Sequence, residues 1–199
     1  MRKCDSFEFE KFSGRVPICL CTCILCFFFY VRLIFIHTFQ HLHDCIFPAP
    51  YPPKFFKEAL EIEHKEGGIN KIAYFNGKEA GVLSARIIPT DCGKSLYLTS
   101  LGCKLFNRRQ GIGALLLKQA IEWAKNQDCG RLYLHVQEGN EAAIEFYRAK
   151  DFQIEKVVPG YYTRLNPSNA FIMYRNLWFW ELCLSKQHKY VKFKWPKQW

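Results

Sequence analysis

The run Asn107-Arg108-Arg109-Gln110-Gly111-Ile112-Gly113-Ala114 sets two glycines and two guanidinium groups at the head of a stretch with helical periodicity. The start of a helix leaves several backbone N–H groups without intrahelical partners, and together with the helix dipole these make an anion site. Gly111 and Gly113 carry no Cβ, so a pyrophosphate can approach the backbone. Arg108 and Arg109 add forked donors suited to phosphate. Gly-x-x-x-x-Gly-Lys-Ser/Thr occurs nowhere in the chain, and Leu116 stands where the third glycine of Gly-x-Gly-x-x-Gly belongs, which sets aside two common nucleotide motifs. By spacing alone, the segment also reads as an ordinary glycine turn before a helix. A second group with chemical potential is Cys19-x-Cys21-x-Cys23-x-x-Cys26. Thiolates favour zinc or copper(I), but no separated second ligand pair exists and Phe27-Phe28-Phe29 follows directly. Small buried hydrophobes and no metal are expected.

The elements around the glycine run alternate. The sequence predicts a helix over Pro52 to Ile62, with proline in its first turn, then strands over Ile69 to Phe75 and Ala80 to Ile88 joined by the hairpin signal Asn76-Gly77. Pro89 to Lys94 reads as a polar turn and Ser95 to Cys103 as the next strand. From Ile112, apolar residues recur at Leu115, Leu116, Ala120, Ile121 and Ala124 with helical period. Arg131 to Gln137 reads as a strand, Asn140 to Lys150 as a helix, and Phe152 to Val158 and Ala170 to Tyr174 as strands. This is an α/β pattern.

A chain of 199 residues with 49% hydrophobic and 17% aromatic content fits one folded domain and excludes wholesale disorder. Three regions emerge: a Cys-rich apolar segment over 1–44, the α/β region over 45–176 and a basic aromatic tail over 177–199. The net charge of +10 is uneven, with Lys186, Lys189, Lys192, Lys194 and Lys197 crowding the tail. Lysines interleaved with Tyr190, Phe193, Trp195 and Trp199 suit single-stranded nucleic acid or an anionic membrane surface as well as a tail without function; nucleic acid is not favoured. The apolar run Val16 to Tyr30 comes near the ~20 residues of a membrane span, but no small-residue cleavage site follows it and Arg32 interrupts its continuation. The expectation is a soluble protein with a loosely packed N-terminus, membrane association through 16–36 being the alternative. Ten cysteines, half clustered and half scattered singly, suggest a reducing compartment and not a disulfide framework.

Arg108-Arg109-Gln110-Gly111-Ile112-Gly113-Ala114 resembles the Arg/Gln-x-x-Gly-x-Gly/Ala signature of the GNAT superfamily of acetyltransferases, and Asn140-Glu141-Ala142-Ala143-Ile144-Glu145-Phe146-Tyr147 is similar to its second CoA segment. Phe47-Pro48-Ala49-Pro50-Tyr51, Leu96 to Cys103, Tyr133-Leu134-His135-Val136-Gln137 and Tyr161-Tyr162-Thr163-Arg164 narrow the resemblance, over about Cys45 to Asn176, to the N-terminal acetyltransferase E branch. The resemblance implies a GNAT fold, a central mixed twisted sheet with flanking helices. It also implies acetyl-CoA as co-substrate without a metal, and protein N-termini as acceptors, Met followed by a permissive residue. Members of the branch associate with the ribosome-bound N-terminal acetyltransferase A complex, and a cytoplasmic, also nuclear, location follows.

By the same resemblance, Tyr97 and His135 remove the proton of the attacking amine. An imidazole with an unperturbed pKa of ~6.5 suits a base, and a phenol near 10 suits alignment or sharing of the proton. Backbone N–H groups of Leu101, Gly102 and Cys103 polarise the carbonyl. Arg108, Arg109, Gln110, Gly111, Ile112, Gly113 and Ala114 hold the CoA phosphates, with Asn140, Ala142 and Tyr147 flanking the cofactor; Tyr147 can protonate the leaving thiol. Phe47, Pro48, Tyr51, Thr99, Tyr161, Tyr162 and Arg164 line the acceptor site. Taken singly, His135 reads equally as a satisfied core histidine and Tyr97 as a packed strand aromatic. Two departures from the pattern stand out: Thr99 replaces a Met, and Met1 to Asp44 shows no counterpart of the family's opening strand and helix. A lysine or small amine as acceptor, and a non-catalytic relative that binds CoA or a partner, remain open at this point.

Overall fold

The structure, a computed structural model, describes residues 22–64, 67–90 and 93–177. Readings made on 1–21 and 178–199, including the start of the apolar run, Cys19, Cys21 and the basic tail, lie outside the described residues, as do the side chains of Cys23 and Cys26.

Two helices, α1 (Thr22–Ile46) and α2 (Pro53–His64), precede three strands, β1 (Gly68–Phe75), β2 (Lys78–Thr90) and β3 (Gly93–Cys103). Helix α3 (Ile112–Asn126) leads to β4 (Cys129–Gln137), α4 (Glu141–Arg148), β5 (Gln153–Val158) and β6 (Ala170–Asn176). The six strands form one sheet in the order β1-β2-β3-β4-β6-β5. Every neighbouring pair is antiparallel except β3 and β4, which α3 connects in parallel. Asn76 and Gly77 have φ of 52° and 70°, the double left-handed turn that two-residue hairpins favour. Pro89 and Thr90, read from sequence as a turn, instead extend β2 and pair with Lys94 and Gly93, because both strands continue their ladder to the hairpin.

Strand alternation sorts the core. Leu96, Leu98, Leu132, Leu134 and Met173 face α3, which buries Ile112, Leu116, Leu117, Ala120 and Ala124 against them. Ile72 and Val82 face the other way, onto Phe39 and Leu42 of α1 and Phe55, Phe56 and Ala59 of α2. Farther along that second face, Ile88, Tyr97, Tyr133 and Ile172 form a separate cluster.

The reading of 1–44 as loosely packed is corrected for the turns that reach the sheet. Phe39, Leu42 and His43 are 2%, 0% and 1% exposed, and with Ile46 they lie at the i, i+3, i+4, i+7 spacing of one helix face. The boundary drawn at 44/45 falls inside α1, so the packed unit begins N-terminal to it. Among the described residues no strand precedes α1. Among those residues no helix is long and apolar enough to cross a membrane.

Candidate active site

The sheet opens between its two parallel strands. Pairing of β3 with β4 runs from Lys94↔Cys129 to Leu98↔Leu134 and then stops, although β3 continues to Cys103 and β4 to Gln137. At the same point Ser84 pairs with Ser100 and Ala85 with Leu98, leaving Thr99 as an extra residue in β3. Such a bulge bends its strand. Lys104 N donates to Ala80 O on β2 (2.9 Å). Since backbone N–H groups alternate from edge to edge along a strand, those of Leu101 and Cys103 point toward the gap that β4 has left, and that of Gly102 toward β2.

Tyr97 and His135 flank the parting. Tyr97 lies one pair before the last, opposite Tyr133, and His135 is the first residue beyond the pairing. Both side chains project on the face of α1 and α2, where Tyr97 Oη is 3.0 Å from His135 Nδ1 and 3.1 Å from Tyr161 Oη. A single hydroxyl donates once. When Tyr97 donates to Nδ1, Tyr161 donates to Tyr97, and the imidazole proton resides on Nε2. The His135 and Tyr161 rings stack at 4.1 Å and 3°, and Tyr162 O–H reaches His135 O (3.5 Å). The loop carrying the two tyrosines is tied to the end of β4 through Gln137 Nε2→Pro167 O, Glu138 N→Asn169 O and Asn169 Nδ2→Glu138 Oε2.

Burial, with the Lys156 charge adding to it, lowers His135 to about 4. From the unperturbed ~6.5 the shift leaves the ring neutral throughout the neutral range, able to accept a proton. Burial pushes Tyr97 up to about 12, against the opposing influence of the Tyr161 hydrogen bond and the Arg86 charge. Tyr51, Tyr147, Tyr161 and Tyr162 are raised by burial as well, so the phenols stay protonated.

On the α3 face, Gly111 caps the helix in the left-handed region (φ 85°) and Arg109 also has positive φ (63°). The first i→i−4 bond is Leu115 N→Gly111 O (3.0 Å), so the N–H groups of Ile112, Gly113 and Ala114 precede the helical ladder. A Cβ on Gly111 would meet nothing within 4 Å. Open space in front of unbonded amides, with exposed Arg108 and Arg109 beside it, fits a pyrophosphate. Arg108 Nε also approaches Cys103 O (3.5 Å), and Gln110 Nε2 bonds Phe106 O (3.3 Å). Asn140 caps α4, its Oδ1 accepting from Ala143 N (3.2 Å), which gives it a structural task besides any contact with cofactor. Ala142 is exposed on α4, and Tyr147 is buried against Phe146 and Phe152.

The mouth lies on the opposite face. Phe47 and Tyr51 pack together (5.3 Å between centroids), and Tyr51 O–H reaches Thr99 O (3.4 Å). Thr99 turns its own hydroxyl to Ser84 O (2.9 Å). Pro48 and Arg164 are exposed nearby in the chain, without a described contact to the tyrosines. Sequence reasoning missed three residues here. Arg86 places its guanidinium 5.7 Å from the Tyr97 ring centre; its signal was a lone cation within the apolar strand Ala80 to Ile88. His43 and Ser100 bond each other from α1 to β3, a pairing across 57 residues that no local pattern announces.

Comparison with known proteins agrees with this architecture. Residues 36–152 match the acetyltransferase (GNAT) family. N-alpha-acetyltransferase 50 of Danio rerio is 36% identical over 143 residues, spanning 71% of this chain and 83% of its own length. The probable N-acetyltransferase san of Drosophila melanogaster is 34% identical over 143 residues, 71% of this chain and 76% of its own. Arabidopsis thaliana Naa50, solved with the bisubstrate analogue CoA-Ac-MVNAL, superposes with a TM-score of 0.65 at 24% identity, covering 86% of this chain and 99% of that one. With parallel strands that part beside an anion cradle, and with sequence relatives over most of their length, the chain belongs to the acetyltransferase (GNAT) family.

Proposed function

We propose that this chain transfers the acetyl group of acetyl-CoA to the α-amino group of protein N-termini, Met followed by a permissive residue being the preferred start. The observation that carries this reading is the Tyr97–His135 contact at the point where β3 and β4 part. The gap there joins the cradle on the α3 face to the aromatic mouth on the α1 face. Phe47 and Tyr51 on one side and Tyr161 and Tyr162 on the other suit a chain end. Two relatives bear names for N-acetylation, and the Arabidopsis structure holds a CoA-peptide analogue.

When bound, acetyl-CoA supplies the activated acetyl thioester. The amides that start α3, with Arg108 and Arg109, hold its phosphates; Asn140, Ala142 and Tyr147 flank it. The Leu101 and Cys103 N–H groups are donors for the acetyl carbonyl oxygen. The amine proton passes, directly or through water, to Tyr97 Oη as the Tyr97 proton moves to His135 Nδ1, and the hydrogen bond from Tyr161 favours negative charge on the Tyr97 oxygen. Tyr147, protonated because burial raises it, is the donor for the leaving thiolate. Thr99, Phe47, Pro48, Tyr51, Tyr162 and Arg164 shape the acceptor end. The catalytic unit is residues 45–176 together with the packed turns of α1. We place it in the cytoplasm, with access to the nucleus, where nascent N-termini occur. The free thiols of Cys45, Cys103 and Cys129 agree with a reducing setting. By family resemblance it works with the ribosome-associated N-terminal acetyltransferase A complex.

A peptide panel tests the acceptor. Free N-terminal Met peptides are expected to be acetylated, and peptides with a blocked N-terminus and an internal lysine are not. Equal turnover of both sets refutes the α-amine assignment.

A further inference from the structure

His43 occupies a position outside the reacting groups, yet it touches both Phe47 and Tyr51 of the aromatic wall and Ser100 of β3. It sits in the last turns of α1 and is 1% exposed. Its Nδ1 lies 2.7 Å from Phe39 O. A carbonyl only accepts, so Nδ1 carries the proton. Nε2 is therefore an acceptor, and at 2.8 Å from Ser100 Oγ it receives the serine hydroxyl. The relay Ser100 O–H→Nε2, Nδ1–H→Phe39 O thus binds the helix to the parted half of β3.

Around this relay, the imidazole meets five aromatic rings: Phe39 at 4.4 Å, Phe47 at 5.3 Å, Tyr51 at 5.0 Å, Phe55 at 5.3 Å and Phe56 at 5.4 Å. Two of them, Phe47 and Tyr51, form the mouth. Ser100 itself stands between Thr99, whose carbonyl receives the Tyr51 hydroxyl (3.4 Å), and Leu101, whose N–H faces the gap. Two residues on, Gly102 lets α1 close on the strand: a Cβ there would collide with Ile46 Cγ2 and lie 3.0 Å from Phe47 Cζ. Beyond Leu98 the strand has lost β4 as a neighbour, and the His43–Ser100 bond with the close approach of Ile46 to Gly102 ties this half of β3 to α1.

We propose that His43 is a positioning residue for acceptor recognition, which through its bond to Ser100 fixes the Phe47–Tyr51 wall relative to the parted half of β3. This rests on the reading of the mouth as the site of a peptide N-terminus. The role differs from mere packing, because an apolar ring of similar size would fill the same space without fixing the distance between helix and strand.

The experiment compares full-chain His43→Phe, Ser100→Ala and the double variant, measuring peptide KM, kcat, acetyl-CoA affinity and urea stability. Each single variant leaves one buried polar partner unsatisfied and loses stability, whereas replacing both partners by apolar groups restores much of it. Positioning predicts that peptide KM stays raised about tenfold in all three variants, the size of one hydrogen bond's contribution, while acetyl-CoA affinity holds within about twofold. In His43→Gln, where an amide oxygen can again accept from Ser100, KM should return toward wild type. A double variant whose KM recovers together with its stability overturns the proposal, as does a fall in acetyl-CoA affinity equal to the rise in KM. Failure of the N-terminal reading looks different: the wild type itself binds acetyl-CoA but turns over no free N-terminal peptide, and both conclusions fall.

Discussion

Substituting Gly111 by valine separates what the fold needs from what the cofactor needs. Gly111 caps α3 at φ 85° and ψ −5°, where an L side chain costs about 1–2 kcal/mol. An added Cβ meets nothing within 4 Å, so the loss is conformational, and a domain with ordinary stability of about 5–15 kcal/mol stays folded. On the proposed reading, a pyrophosphate reaches the Ile112, Gly113 and Ala114 amides through that empty volume. A branched side chain standing in it removes at least one hydrogen bond to a charged group, worth about 1.5–3 kcal/mol, and weakens acetyl-CoA binding about 10- to 150-fold. Gly113→Ala is the control. Its Cβ would lie 3.7 Å from Phe146 Cζ and 3.8 Å from Cys103 Sγ, ordinary contacts, in a helical backbone where alanine is favoured over glycine by roughly 0.5–1 kcal/mol. Calorimetric titration with acetyl-CoA, paired with urea unfolding, reads both quantities. A folded Gly111→Val that binds with wild-type affinity refutes the cradle.

Four more outcomes follow from the geometry. Tyr97→Phe and His135→Ala should each lower turnover by about 10²-fold with acetyl-CoA affinity unchanged. Because His135 is neutral down to about 4, kcat/KM between about pH 5 and 8 should follow the substrate amine, with its pKa near 8; an enzyme limb near 6.5 that vanishes in His135→Ala contradicts the burial account. His43 falls from 6.5 to about 4 through burial, so the unfolded chain binds the extra proton between those values. The His43 contribution to stability is therefore full above about pH 6.5, declines as pH drops through the window and levels off below about 4, by on the order of 3 kcal/mol at 1.36 kcal/mol per unit, with His135 adding a second contribution of the same sign. Urea unfolding of His43→Phe should show a flatter pH dependence; an unchanged slope assigns the acid sensitivity elsewhere. Asn140→Ala should cost about 1 kcal/mol through loss of the α4 cap, and an unaltered unfolding midpoint removes that role.

What the sequence disclosed and what it concealed divide by range. The Asn76-Gly77 hairpin, the period of α3 and the glycine turn before it are local, and each agrees with the structure to within a few residues. The fold class followed, since one helix between two strands demands the parallel pair on which the cleft depends. Helix α1 escaped because periodicity needs contrast: Phe39, Leu42, His43 and Ile46 form one face, but that face includes a histidine, and the run before it over 23–36 is apolar except for Arg32. The electrostatics escaped for another reason. His135 could be named from its strand and its family motif, but its lowered pKa comes from burial beside Tyr97 and Tyr161 and from Lys156, none of them adjacent in sequence.

The parting of β3 and β4 shows why those hidden contacts matter. A strand released from one neighbour exposes N–H groups that can serve a substrate only if the strand stays in place. The bulge at Thr99 bends β3 away, and the antiparallel ladder to β2 holds its other edge through Val82↔Gly102 and Gly81↔Cys103. Across the sheet, the cradle end is fixed by α3, whose Ile112, Leu116 and Leu117 are buried in the core. The mouth end is fixed by α1 and the residue that follows it, through His43, Ile46 and Phe47 against Ser100 and Gly102. On the proposed reading, cofactor and acceptor are held from opposite faces by different helices, and both converge on Tyr97 and His135. Changes in α1 should therefore alter acceptor recognition with little effect on acetyl-CoA, and changes at the start of α3 the reverse. That separation follows from the topology itself, because the open seam between two parallel strands is where the two faces of the sheet meet.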